Sequence, residues 1–195
     1  SNNISWENVA LVKELGNYFS CEIRISNDAN CAALGEVKAG AAKNVSNAIL
    51  LTLGTGVGGG IILDGKVFEG SGAELGHISM ILGGEPCTCG RRGCVETYVS
   101  ATALIRDAKR AAAANKKSLL NQMCGGVLEH MNGRIPFDAA LAGDKVAKEV
   151  VENYYTYLAE AVANYVNIFR PDVVILAGGV CNRIGCLTAS VEEHL

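Results

Sequence analysis

Residues 76–100 read GHISMILGGEPCTCGRRGCVETYVS, and four side chains in this stretch share one chemistry. His77, Cys87, Cys89 and Cys94 follow the spacing H-x9-C-x-C-x4-C, which gathers three of the chain's 8 cysteines into positions 87–94. One imidazole and three thiolates form a complete tetrahedral shell for a structural zinc, with no position left for water. Gly90 and Gly93 bracket Arg91 and Arg92, so the backbone can turn tightly enough to aim three sulfurs at one point. The plainer alternative is a loop whose cysteines are simply small buried residues. Two cysteines one residue apart in a Gly-rich loop favour the metal, and the ion would shape the loop rather than do chemistry.

Around this loop the pattern alternates between strands and helices. Before it, Val9, Val12, Leu15 and Phe19 recur at helical spacing and predict an amphipathic helix over 7–20, followed by a short strand over Cys21–Ser26. ANCAALGEVKAGA (29–41) is Ala-rich and predicts a closely packed helix. AILLTL (48–53) is a buried strand that runs into the Gly-rich turn 54–60. A second strand IILD, an Asp64-Gly65 turn and KVFE then predict a hairpin. After the loop, a long helix is expected over 95–114, a less regular stretch over 118–134, and another helix over 135–142. Asp144 reads as the N-cap of a helix reaching Phe169, and VVILAGG (173–179) as a strand entering a turn. Strands and helices mingle, which gives an α/β class.

Composition narrows the function. In 195 residues, 49% are hydrophobic, enough for a substantial core, and the formal charge is −3. That balance offers no basic footprint for nucleic acid or an anionic membrane. No apolar run approaches the roughly 20 residues that span a bilayer, and Ser1-Asn2 lacks the features of a signal peptide. The clustered cysteines read as metal ligands in a reducing cytosol, so a cytoplasmic location is expected. Cys21, Cys31, Cys124, Cys181 and Cys186 read as small buried or incidental residues.

Three further segments could carry chemistry. Asn27-Asp28 closes a strand and opens a helix; on residue type alone, capping is the better reading of Asp28. Leu53–Gly60 is a strand, a Gly turn and a strand, whose N–H groups could form a phosphate nest. It has no GK[ST] and is not a P-loop. Ala177-Gly178-Gly179-Val180 is a Gly turn at a strand end, for which a plain strand-to-helix connection is the alternative reading.

Together with the Cys/His run, these motifs resemble the ROK family of sugar kinases and sugar-responsive repressors, and bacterial glucokinases most. The resemblance runs from Trp6 to about Leu195, with several motifs in the family's order. It implies the actin-like ATPase (ribonuclease H-like) fold: 1–27 as a remnant of the N-terminal lobe, and 28–195 as the larger sugar- and ATP-binding lobe. By the same resemblance, NDANCAALGE makes Asp28 the catalytic base for a sugar's primary hydroxyl and Asn27 a ligand of a neighbouring hydroxyl. Glu74, His77 and Glu96 would bind further sugar hydroxyls, His77 serving zinc with one ring nitrogen and sugar with the other. Gly54, Thr55 and Gly56 would hold ATP phosphates, and Gly178 and Gly179 the adenosine. ATP, Mg²⁺, structural Zn²⁺, a hexose substrate and a homodimer are the implied partners. His130 and His194 match no role and are expected at the surface.

The sequence also departs from that pattern. The family's N-terminal Asp-x-Gly-Gly-Thr loop is not found, and the chain stops soon after AGGV, so a truncated lobe, inactive alone as a kinase, is expected. The loop FEGSGA (68–73) is shorter than usual beside the sugar site, which bears on specificity. The implied reaction is ATP-dependent phosphorylation of a hexose, with glucose to glucose 6-phosphate first. N-acetylmannosamine or fructose kinases and a sugar-responsive repressor with an N-terminal DNA-binding domain are the rivals.

Overall fold

The computed structural model describes residues 7–68 and 74–181. Its centre is a mixed four-stranded sheet in the order β3-β2-β1-β4. Strand β1 (Ala48–Leu53) pairs antiparallel with β2 (Val57–Leu63) and parallel with β4 (Val173–Ala177), and β2 pairs with the two-residue β3 (Lys66–Val67). The apolar run of β1 is explained by burial on both faces. Ile49, Leu51 and Leu53 join the larger hydrophobic cluster, whereas Ala48 and Leu50 join a smaller one. The Asp64-Gly65 turn has positive φ at both residues, 50° and 71°, as a tight antiparallel hairpin requires.

The second strand starts earlier than its sequence suggests. Val57–Gly60 belongs to β2, so the Gly-rich run is mostly strand rather than turn. Helix α2 (Asp28–Ala39) lies on this strand through Ala29 and Ala33. A Cβ at Gly60 would fall 2.5 Å from the Ala29 carbonyl oxygen and 2.6 Å from Ala33 Cβ. Bare backbone there lets the helix sit close enough to bring its first turn to the sheet's end.

On the other face lie α3 (Glu96–Val99), α4 (Ala101–Ala114), α5 (Leu119–Met123), α6 (Ile135–Leu141) and α7 (Lys145–Phe169). Asp144 caps α7 as expected, accepting from Ala147 N at 2.8 Å, and it also accepts from Leu119 N at 2.7 Å. Phe137, Tyr154 and Tyr155 form an aromatic cluster between α6 and α7, with centroids 6.2–6.5 Å apart.

Three expectations are corrected. The helix over 95–114 is two helices, broken at Ser100, whose ψ of 161° is extended and whose hydroxyl caps Ala103 N at 3.0 Å. The N-terminal helix is only α1 (Leu11–Gly16), and it buries nothing: Val9, Val12 and Phe19 are 45%, 45% and 57% exposed. An apolar stripe with no surface to cover cannot sustain a short helix. Cys21–Ser26 joins no strand of the sheet, and without a ladder partner its alternation has nothing to pair with. Cys21 and Cys31 are exposed, Cys124 is buried, and His130 is exposed on the single turn Leu128–His130. Residues 69–73, Cys186 and His194 lie outside the described residues. Among the described residues, no helix is long and apolar enough to cross a membrane.

Candidate sugar and nucleotide site

Asn27 and Asp28 divide the labour at the start of α2. Asn27 is the N-cap: its Oδ1 accepts from Ala29 N at 2.9 Å and Asn30 N at 3.2 Å. Asp28 is the first helical residue; its Oδ1 accepts from Ala29 N at 2.8 Å and its side chain remains exposed. Because Asn27 fills the capping role, Asp28 is not required for it.

The His/Cys run folds into a tight loop laid against α3 and α4. Cys87 N donates to the Arg91 carbonyl at 2.9 Å, Gly90 N to the Cys87 carbonyl at 3.0 Å, and Met80 N to the Gly93 carbonyl at 2.7 Å. Gly93 has φ +75°, and a side chain there would run into the Ile81 carbonyl. Two ties fasten the loop to the core. The Glu85 amide donates to the Tyr98 hydroxyl at 2.8 Å, and the Glu85 carboxylate pairs with Arg110. The hydrogen bond from Arg110 holds the Glu85 carboxyl below the usual carboxylate range.

This loop brings the ligand atoms of His77, Cys87, Cys89 and Cys94 within 4.8 Å of one another. His77 Nδ1 lies 3.4 Å from Cys87 Sγ, and Cys89 Sγ lies 3.7 Å from Cys94 Sγ. A tetrahedral zinc with bonds of about 2.3 Å spaces its sulfurs about 3.8 Å apart, so the donor set fits. Burial, followed by the neighbouring Cys89 and Cys87 sulfurs, pushes the Cys94 thiol up to about 12. A cation among the sulfurs would relieve that repulsion. The set is a potential metal site.

His77 belongs to a second grouping as well. Asp28, Thr52, Gly54, Gly56, Val57, Gly58, Glu74, His77, Glu96 and Gly178 line one open hollow of about 370 Å³ at the ends of β1 and β4. Glu74 precedes the single turn Leu75–His77, His77 ends it, and Glu96 opens α3. Glu96 Oε2 accepts from Val57 N at 2.9 Å, and a side chain at Gly56 would meet that same oxygen. Across Gly54 lies a second cavity of about 510 Å³, lined by Leu53, Gly54, Thr55, Ala101, Gly133, Arg134, Gly179 and Val180. Ala101 N donates to the Gly54 carbonyl at 2.8 Å, and Thr102 Oγ1 to the Thr55 carbonyl at 2.7 Å, which fixes the turn between the cavities. Gly178 faces the hollow with φ +107°, a value that favours glycine.

The hollow and the cavity beside it thus gather every sequence-selected residue except Asn27, held at the cap, and the three cysteines behind His77. Thr52, Ala101, Gly133 and Arg134 line these spaces without having been singled out. Thr52 alone left a signal, as the one polar residue in AILLTL. A separate cleft of about 430 Å³ between α4 and α7 touches none of the selected residues, and its Arg106 and Arg110 are paired to Asp107 and Glu85.

Among known proteins, residues 1–195 match the ROK family. The chain belongs to the ROK family. Its α/β architecture is that of the ROK and actin-like ATPase superfamily. It is 39% identical over 193 residues to a glucokinase of Thermotoga maritima, covering 97% of this chain and 61% of that protein. Among solved structures, it superposes with a TM-score of 0.86 and 32% identity on a ROK family glucokinase from Streptomyces griseus in complex with glucose and AMPPNP. That match covers 100% of this chain and 64% of the other. A ROK family transcriptional regulator, a homologue of the E. coli MLC protein, gives a TM-score of 0.82 at 31% identity, over 97% of this chain and 47% of that one. The chain spans about 60% of the length of the curated glucokinases it matches.

Proposed function

We propose that the chain forms most of the larger lobe, residues 28–195, of an ATP-dependent hexose kinase that makes glucose 6-phosphate from glucose, with 1–27 belonging to the smaller lobe. In this reading the fold is ribonuclease H-like. The observation that carries it is the single hollow shared by Asp28, Glu74, His77 and Glu96, with the Gly54–Gly56 turn between it and a second cavity. A carboxylate, two more carboxylates and an imidazole around one space suit a polyol, whose vicinal hydroxyls both donate and accept. In the turn the Gly54 amide donates to the Gly56 carbonyl at 3.0 Å, which leaves the amides of Thr55 and Gly56 to offer to phosphate.

In this reading the hexose lies in the hollow. Glu74, Glu96 and the His77 nitrogen turned away from the sulfurs hold ring hydroxyls, and Asn27 offers its side-chain amide to another. Asp28 accepts the proton of the primary hydroxyl as the hydroxyl oxygen bonds to the terminal phosphorus of ATP and the bond from that phosphorus to the bridging oxygen breaks, releasing ADP. Gly54, Thr55 and Gly56 hold the phosphates, and Gly178 and Gly179 the adenosine side. Mg²⁺ accompanies the nucleotide and neutralises phosphate charge. Zinc held by His77, Cys87, Cys89 and Cys94 supplies rigidity, fixing one sugar ligand in place. Positioning and electrostatics, rather than covalent chemistry, supply the rate.

ADP release by the complete gene product tests this, with glucose, fructose, mannose, N-acetylglucosamine and N-acetylmannosamine in parallel. Activity with glucose above the others, reduced at least about a hundredfold in Asp28→Ala with zinc content unchanged, is the expected result. Near-normal turnover in Asp28→Ala would overturn the base assignment. The similarity to a transcriptional regulator supports a second reading, a sugar-responsive repressor. Zinc-loaded protein that binds a hexose but phosphorylates none would favour it.

A further inference from the structure

Helix α7 passes behind the hollow, and one of its side chains reaches the turn that carries two sugar-facing groups. Tyr165 is fully buried, and its hydroxyl donates to the Leu75 carbonyl at 2.7 Å. Leu75 sits between Glu74 and His77 in the chain, at the start of the turn Leu75–His77. The other donor to that carbonyl, Ile78 N, is 3.4 Å away, so the phenol is its main partner. Burial raises the Tyr165 pKa and keeps the hydroxyl a neutral donor.

The opposite side of the turn rests on β2. A Cβ at Gly59 would fall 2.5 Å from Leu75 Cδ1, and one at Gly76 would meet the Val57 carbonyl. The turn is therefore held between bare strand backbone and the Tyr165 hydroxyl at its start, with Arg91 Nη1 donating to the His77 carbonyl at its end at 3.2 Å. The strand contact sets its height above the sheet. The hydrogen bond sets its rotation, because a carbonyl fixed at one end of a three-residue turn fixes the planes of the peptides around it.

We propose that Tyr165 is a positioning residue for the hexose, its hydroxyl setting the rotation of the Leu75–His77 turn so that Glu74 and His77 enter the hollow together. The proposal rests on the hexose-kinase reading above. Phenylalanine would fill the same volume, so the hydroxyl is what the role requires. Without it, a buried carbonyl loses its main donor and the turn is free to rotate toward other partners. Glu74 and His77 would then meet the sugar at the wrong angle, while the Gly54–Gly56 turn and the second cavity keep their own bonds.

Steady-state kinetics of the zinc-loaded complete gene product decide the matter, with hexose and ATP varied separately. Tyr165→Phe is expected to raise the hexose KM about tenfold, with kcat within about threefold and the ATP KM unchanged. Ser118→Ala serves as control: it removes another buried hydroxyl, hydrogen-bonded to Asp144 far along α7, and should lower Tm with both KM values unchanged. A hexose KM unaltered in Tyr165→Phe, with kcat falling only as the folded fraction falls, would overturn the positioning role and leave the kinase reading standing. Wild-type protein that neither phosphorylates a hexose nor binds one by calorimetry would overturn both. If Tyr165→Phe does not fold, hydrogen exchange of the wild type decides. Ile78 and His77 amides protected like the α7 core are expected without sugar; exchange at exposed-loop rates would overturn the proposal.

Discussion

A carboxylate has two oxygens, and one oxygen of Glu96 is already committed. Its Oε2 accepts from Val57 N–H across 39 residues of sequence, beside the Cα of Gly56. A glycine at 56 is therefore required by Glu96, whatever it also offers to phosphate. Replacing Gly56 with alanine should push the Glu96 carboxylate aside and raise the hexose KM about tenfold, with a smaller change in the ATP KM. A dominant change in the ATP KM would return Gly56 to a purely phosphate-binding role. At this scale the sequence foreshadowed which residues meet: His77, Cys87, Cys89 and Cys94 by spacing, which the fold groups together, and Asp28, Glu74 and Glu96 through the family pattern, which line one hollow. Their secondary partners were not legible. A hydrogen bond from Tyr165 to Leu75, 90 residues apart, leaves no local mark in either segment.

At the scale of elements, caps and burial decide what the sequence reveals. β1, α2, α6 and α7 stand close to where their patterns put them, because their apolar faces meet the sheet or one another. The segment 7–26 has helical and alternating patterns with no surface to cover among the described residues, so only Leu11–Gly16 becomes helical. The break at Ser100 was hidden because both flanking segments are helical; only Ser100's buried hydroxyl, capping Ala103, separates them. The α7 cap carries a prediction. Burial works to raise the Asp144 pKa, but the amides of Ala147 and Leu119 and the Ser118 hydroxyl outweigh it, and the net shift is downward. A carboxyl held below its unfolded value of about 3.9 contributes stability above that pH and loses it as pH falls through the folded value. Asp144→Ala should therefore cost about 1–2 kcal/mol near neutrality. In thermal unfolding followed against pH, its deficit relative to wild type should shrink below about pH 4. A deficit independent of pH would mean that the lost contacts are not those of the carboxylate.

For the molecule as a whole, the two hydrophobic clusters meet back to back through the sheet, and the cysteine loop rests on the larger one through Met80 and Ile81 and through Val95 and Tyr98 just after it, with Cys94 buried beside them. Polar ties add to these contacts: Glu85 is bound to Tyr98 and Arg110, and within the loop Arg91 Nη1 donates to the His77 carbonyl at 3.2 Å. These contacts seat the loop on the core without a metal, whereas a metal would tie His77 to the three sulfurs. Metal uptake must remove a proton from Cys94, whose thiol stands near 12 without a cation, so binding should release protons and weaken as pH falls. Chelation of zinc-loaded protein should leave the far-ultraviolet dichroism nearly unchanged, lower Tm, and speed amide exchange across 77–94. It should also weaken hexose binding by about tenfold or more, the range seen when the support of a site is lost, with nucleotide binding affected less. Calorimetric titration of the hexose into metal-free and zinc-restored protein measures this. Equal affinities would show that the loop is held by its protein contacts alone, and the role of the metal would have to be sought outside sugar recognition.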